Sequence, residues 1–143
     1  MNGKLYSEIG RLMMAYGKQF RTFMKKALAP AELNMAEAMV LMLLYEKDGQ
    51  SQDQLLEGVH YDKSVMTRTM QSLEKHEFLM RRKNPDDGRS WIFVLTKKGR
   101  QVKPQVLAAL NEWCASASNG FSLEDSEALL NIMIRLQSNI EHL

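Results

Sequence analysis

Between Ser51 and Thr96 the apolar residues change from helical spacing to strand alternation, and few architectures accept two short helices followed at once by a hairpin. The Ser51 hydroxyl can accept from the Gln54 backbone N–H while the Gln54 side chain reaches back, a capping box, and Gly58 supplies a stop. A turn of about three residues, Val59 to Tyr61, follows. Asp62 can then cap a second helix in which Met66, Met70 and Leu73, spaced by four and three, share a buried face. Phe78–Lys83 and Trp91–Leu95 are rich in strand formers, and Asn84-Pro85-Asp86-Asp87-Gly88 between them is turn chemistry. Trp91, Phe93 and Leu95 fall on one face of the second strand, Ile92 and Val94 on the other.

This order predicts a winged helix-turn-helix, a mainly α (α+β) fold with Arg89 near the tip of a two-stranded wing. The outer face of the second helix carries Lys63, Ser64, Thr67, Arg68, Gln71 and Lys75, side chains able to donate to or accept from base edges in a major groove. Any solvated helix face carries similar residues, so the wing behind it decides the reading. Arg89 can enter a minor groove, with Arg82 and Lys83 on the preceding strand, and Asp87 stands two residues away, placed to orient the Arg89 guanidinium. A plain hairpin with a surface ion pair would use the same residues.

Charge is segregated in the same direction. From Tyr61 to Lys103 there are 11 Lys/Arg against 5 Asp/Glu, giving +6, whereas the remainder has 8 against 12, giving −4, within a net charge of +2. A basic segment of this kind favours nucleic acid, because neutralising phosphates releases counterions, and Lys97 and Lys98 are expected as phosphate contacts that weaken binding uniformly when removed.

Asp62-Lys63-Ser64-Val65-Met66-Thr67-Arg68, Leu73-Glu74, Asn84-Pro85-Asp86-Asp87-Gly88-Arg89 and Leu95-Thr96-Lys97-Lys98-Gly99, in that order and spacing, resemble the MarR family of bacterial transcriptional regulators. The resemblance implies a homodimer in which the first and last helices intertwine. It also implies repression of transcription at double-stranded DNA, relieved by a small aromatic or acidic ligand bound between the dimerisation helices and the DNA-binding domain. A two-fold dimer would set two recognition helices about 34 Å apart and predicts a pseudo-palindromic operator.

The flanks fit such a plan. A first helix is expected over Leu5–Leu28, with Leu5, Ile9, Leu12, Tyr16, Phe20 and Phe23 in a stripe that needs a partner, ended by Ala29-Pro30-Ala31. Asn34 with Glu37 caps a second, in which Ala38–Tyr45 is apolar nearly all round and so belongs at the centre of the domain. Thr96 can cap a long helix through Val102, Val106, Leu110 and Trp113, bent or irregular at Pro104 and broken at Asn119-Gly120. Ser122 with Asp125 restarts it, and Leu129, Met133, Leu136, Ile140 and Leu143 form an a/d seam. Residues 1–30 and 104–143 are therefore expected to form a helical dimerisation region around a DNA-binding domain of residues 31–103, although an intrachain bundle would show the same periodicity.

Candidate ligand-pocket residues are Arg11, Met14, Tyr16, Met39, Met42 and Trp113: flexible methionines, aromatic walls and a carboxylate partner, all equally explicable as core or solvated surface. Cys114 is expected to be a small packed residue rather than a sensor thiol, and one cysteine excludes an intramolecular disulfide. His60, His76 and His142 show no ligand spacing, so neither metal nor other cofactor is expected. The longest apolar run, Ala38–Tyr45, is far short of a membrane span and the N-terminus lacks a secretory core, so a cytoplasmic protein with no membrane partner is expected. No phosphate loop, nucleophile elbow or isolated carboxylate pair supports an enzyme. The competing reading is a winged-helix module for protein contact, or a dimer without operator binding. Against it stand Lys63, Arg68, Arg89 and the basic strand Arg81-Arg82-Lys83, expected on one side.

Overall fold

The computed structural model describes residues 2–143. It contains α1 (Gly3–Leu28), a 3-10 turn (Ala29–Ala31), α2 (Met35–Glu46), α3 (Gln52–Gly58) and α4 (Lys63–Lys75), then β1 (Leu79–Lys83) and β2 (Trp91–Leu95), then α5 (Lys97–Gln101), α6 (Lys103–Ala117) and α7 (Leu123–Ile140). Contacts divide the chain into two compact units, one up to Leu110 and one from Asn111 to Leu143. Among the described residues no single helix is long and apolar enough to cross a membrane.

The first unit is built around α2. Its side chains are apolar on every face because every face has a neighbour: Ala38, Val40, Leu41 and Leu44 are buried, joined by Met24 and Leu28 of α1, Leu55 of α3, Met66, Met70 and Leu73 of α4, and Phe93 and Leu95 of β2. The expected capping box is formed, with Asn34 Oδ1 accepting from Glu37 N at 2.8 Å and Glu37 Oε2 accepting from Asn34 N at 2.9 Å. Glu37 is itself buried, and its second oxygen accepts the Ser72 hydroxyl of α4 at 2.5 Å. A side chain read as a local cap thus also ties the central helix to the recognition helix.

Ser51 and Gln54 cap α3 reciprocally, and the Asp62 carboxylate accepts from Val65 N at 2.8 Å to start α4. Gly58 does more than supply the expected stop. It lies inside the last turn of α3, and a Cβ there would come within 2.8 Å of Leu43 Cδ1, so it is small because α2 passes over it. The stop of α4 was not legible. Glu77 takes the left-handed position at φ 63°, where glycine is favoured, while Phe78 N donates to Leu73 O at 2.9 Å. Neighbouring carbonyls are satisfied from a distance, since Lys98 Nζ donates to His76 O at 2.7 Å and the Thr96 hydroxyl to Glu77 O at 2.5 Å.

The strands pair antiparallel, Leu79 opposite Leu95 through Lys83 opposite Trp91. Gln50 extends the ladder with a bridge to Phe93 and caps the end of α2, its Nε2 donating to Leu43 O and Lys47 O. Asp48 secures the base of the wing by accepting from Leu95 N at 2.9 Å and from Arg100 at 3.1 Å.

The expected long helix after the wing is two helices. Thr96 caps only α5, and the chain breaks at Val102, so that Pro104 stands at the start of α6, where its missing N–H costs no intrahelical bond. Gly99 of α5 is buried against the chain leaving α4: an added Cβ would lie 2.1 Å from Phe78 O. Its own carbonyl accepts the Tyr45 hydroxyl at 2.7 Å, and burial pushes that phenol up to about 12.

In the second unit Ser122 and Asp125 form the expected capping box of α7. No residue of α7 is buried, and the seam residues Leu129, Met133, Leu136 and Ile140 are 39–57% exposed. The N-terminal half of α1 behaves likewise, with Leu5, Ile9, Leu12 and Tyr16 exposed, whereas Phe20 and Phe23 pack against the core. Cys114 is exposed, which corrects the expectation that it is packed within its own chain.

Candidate nucleic-acid interface

The two faces of α4 differ as its periodicity requires. Met66, Thr69, Met70 and Leu73 are buried, while Lys63, Ser64, Arg68, Gln71 and Lys75 are exposed on the other side and Thr67 is half-buried between them. Thr67 is already engaged, its hydroxyl donating to Lys63 O at 2.9 Å and accepting from Gln52 Nε2 of α3 at 3.0 Å. That contact braces the two helices of the motif. Ser64 donates to Asp62 Oδ1 at 2.7 Å. The Asp62 carboxyl is held below its ordinary value by the Val65 N–H first, then by the Ser64 hydroxyl, with a smaller contribution from the Arg68 charge.

Arg68 points along the edge of α4 into a cleft of about 430 Å³, lined also by Val65, Thr69 and Ser72 of the same helix and by Asn34, Met35 and Ala36 at the start of α2. This cleft contains none of the six expected pocket residues. Of those six, Arg11 pairs with Glu8 on the exposed part of α1, and Met14 and Tyr16 are 78% and 57% exposed. Met39 and Met42 are half-buried against the core of the first unit. Trp113, in the second unit, is half-buried. Among the described residues no cluster of His, Cys, Asp or Glu is placed to hold a metal.

The wing carries Arg89, Asp87, Arg82 and Lys83 in exposed positions. Asp87 does not orient the Arg89 guanidinium. Its Oδ1 accepts the Arg89 backbone N–H at 3.1 Å and its backbone carbonyl the Ser90 hydroxyl at 3.3 Å, so the carboxylate shapes the turn. Nor do Arg81, Arg82 and Lys83 lie on one side. Cross-strand register places Arg81 and Lys83 on the face of Phe93 and Trp91, and Arg82 with Ile92 on the other.

Arg81 is turned inward along the protein. It donates to Glu74 of α4 from Nε and Nη2 at 3.0 and 2.8 Å, and its guanidinium stands 5.7 Å from the Trp91 ring centre and 5.9 Å from that of Phe93. Lys98, expected as a phosphate contact, is occupied by His76 O and lies 4.3 Å from the Phe78 ring centre. Lys97 beside it is exposed. Sequence reading missed Gln52, Glu74 and Lys98 as supports of the interface, because each acts on a residue distant in the chain. Only the i to i+7 spacing of Glu74 and Arg81, across a helix end and into a strand, carried a trace of it.

Comparison with known proteins agrees with this architecture. Residues 33–91, from the start of α2 to the first residue of β2, match the MarR family. The uncharacterized HTH-type transcriptional regulator YdgJ of Bacillus subtilis (strain 168) is 26% identical over 111 residues, 78% of this chain and 68% of that one. A MarR transcriptional regulator from Methanosarcina mazei Go1 superposes with a TM-score of 0.80 at 22% identity, covering 94% of this chain and 91% of the other. A protein of Listeria monocytogenes solved in complex with a 26mer DNA has the same fold, with a TM-score of 0.85 at 19% identity over 91% and 87% of the two chains. The helix-turn-helix and the first strand of the wing lie within the stretch that matches the MarR family, and the chain as a whole has the winged helix-turn-helix fold of these solved structures.

Proposed function

We propose that the chain is a homodimeric, sequence-specific repressor that binds a pseudo-palindromic site in double-stranded DNA in the cytoplasm and is released by a small aromatic or acidic ligand. The observation that carries this is the exposed face of α4. Lys63, Ser64, Arg68, Gln71 and Lys75 stand opposite a fully buried face, on a helix tied to its neighbours through Thr67, Ser72 and Glu74. A rigid polar face beside a basic wing is what base reading in a major groove needs. In this arrangement Arg68 and Gln71 read base edges, Lys63 and Lys75 neutralise phosphates, and Arg89 enters the adjacent minor groove with Arg82 and Lys83 on the flanking backbone. The DNA carried by the Listeria monocytogenes structure of the same fold is consistent with this docking.

The homodimer is supported by the uncovered apolar side chains of α7 and of the first half of α1. In this reading residues 1–30 and 104–143 serve dimerisation and 31–103 bind DNA, with the end of α1 shared, since Met24 and Leu28 lie in the core of the winged helix. Arg11, Met14, Tyr16, Met39 and Met42 of the first unit and Trp113 of the second are the side chains proposed to meet the releasing ligand. A ligand preferring a dimer with displaced recognition helices would lower DNA affinity by its differential binding.

Selection from a random DNA pool at two salt concentrations tests the reading. Enrichment of half-sites about one turn apart, with affinity falling steeply with salt, is expected. No enriched motif would move the chain to a protein-contact role. Arg68→Ala is expected to relax base preference at a cost of about 1–3 kcal/mol, and Lys97→Ala to reduce the salt slope by about 1 without changing preference. Lys98→Ala should act through folding, because its ammonium caps α4.

A further inference from the structure

We propose that Glu74 and Arg81 form a clamp that sets the angle of the wing to the recognition helix, and that this pair determines docking on DNA without touching it. The proposal rests on the DNA-binding reading above and assigns positioning residues to it.

Two hydrogen bonds at 3.0 and 2.8 Å close a fork-to-carboxylate contact between the last turn of α4 and the middle of β1. Bidentate geometry fixes direction as well as distance, which a single contact from a lysine would not. The far side of the guanidinium is held against Trp91 and Phe93 on β2, so one side chain joins the recognition helix to both strands. The Glu74 hydrogen bonds hold the Arg81 charge more firmly, raising it above its ordinary range. The chain between the two residues is a poor hinge-stop by itself. It turns through Glu77 in the left-handed region at φ 63°, a conformation a non-glycine residue holds only with support. Wing and helix are thus joined by a strained turn at Glu77 and, four residues further on at Arg81, by the clamp.

A direct phosphate contact by Arg81 would predict the opposite behaviour, and this makes the proposal testable. Were Glu74 merely a competing anion, removing its charge would release Arg81 towards DNA and tighten binding. As a clamp, removing the charge loosens the wing and weakens binding. Glu74→Gln and Arg81→Lys, both exposed enough to leave the core intact, are compared with the charge-swapped double variant by amide exchange without DNA and by operator affinity at two salt concentrations.

Each single variant should speed exchange of the β1 and β2 amides while those of α2 keep their rates. Each should weaken operator binding by roughly fivefold at unchanged salt slope, since no phosphate contact is lost. The swap should recover part of both effects. Tighter binding by Glu74→Gln, or a shallower salt slope in a further variant, Arg81→Gln, that removes the charge, would show Arg81 on the phosphates and overturn the clamp. Unchanged exchange in the wing would overturn it as well, whatever the DNA result. Wild-type protein that binds no DNA would instead sink the parent reading, and with it any role of the clamp in docking.

Discussion

α2 and α7 begin with the same device and end in different environments. Each has a reciprocal capping box, Asn34 with Glu37 and Ser122 with Asp125. Each continues into a run dense in Leu and Met. Five residues of α2 are buried and none of α7. In α2 even the capping carboxylate meets a tertiary partner, the Ser72 hydroxyl, whereas the Asp125 carboxylate touches only Ser122. Local signals are thus sufficient to start a helix but silent on what covers it. An isolated helix of this length is marginal in water, and full burial of each Leu, Ile or Met contributes roughly 1.5–3 kcal/mol. The uncovered side chains of α7 therefore hold stabilisation that only association can release.

The sharpest way to separate the two helices is to put charge on α7. Met133→Glu with Leu136→Glu should convert a dimer into monomers by sedimentation and reduce operator affinity by roughly 10²–10⁴, because two half-sites would no longer be engaged together. The winged-helix core of such a monomer should keep its near-ultraviolet spectrum. Unchanged sedimentation would show that α7 is not the interface. Leu41→Ala, by contrast, removes a fully buried side chain from the middle of α2 and should lower unfolding stability by about 3 kcal/mol in urea. If it leaves the urea midpoint in place, α2 is not the centre of the core.

Most of the first unit was legible because its determinants are local. Caps at Asn34, Ser51, Asp62 and Thr96, the buried stripe of α4 and both strands follow from spacing a few residues long. The exposed basic face followed too, since a helix with one apolar stripe must present the remainder. The supports of that face were not legible. Arg81 reads as one more basic residue until its partner Glu74 is seen, and Lys98 as a phosphate contact until His76 O is found 2.7 Å away. Gly58 reads as a stop signal, yet it and Gly99 are each small because another element crosses them, and neither has a positive φ. Conversely, Glu77 occupies a position for which glycine is the expected residue.

That last position gives a smaller prediction on the buried side of the comparison. Glu77→Gly should raise unfolding stability by about 1 kcal/mol, by relieving a left-handed conformation that costs a non-glycine residue roughly that amount. No equivalent gain is available at the break before α7, where Gly120 already stands at φ 84°. A urea midpoint that moves down on Glu77→Gly would mean that the side chain or its limit on the unfolded chain outweighs the strain.

The smallest effect distinguishes the caps by pH. The Asp62 and Asp125 carboxyls both lie below their ordinary 3.8, each held there first by a backbone N–H, from Val65 and Ser122 respectively, and then by a serine hydroxyl. A carboxyl lowered in the folded state contributes stability that is fully present above its unfolded value and is lost as pH falls through the folded one. Both contributions should therefore be intact at pH 5 and decline below about pH 4. At the N-cap position of Asp62 asparagine caps nearly as well as aspartate, at the N3 position of Asp125 its amide oxygen can still accept from Ser122 N, and neither asparagine titrates in this range. Asp62→Asn should accordingly shrink the fall in urea midpoint between pH 5 and pH 3, because α4 cannot loosen without the core it helps to form. Asp125→Asn should leave the winged helix unaffected and, in the proposed homodimer, shrink only the acid loss of association, because no residue of α7 is buried within the chain itself. If instead the two variants change the urea midpoint equally, α7 is coupled to the core within one chain, and the contrast between the two helices is one of degree.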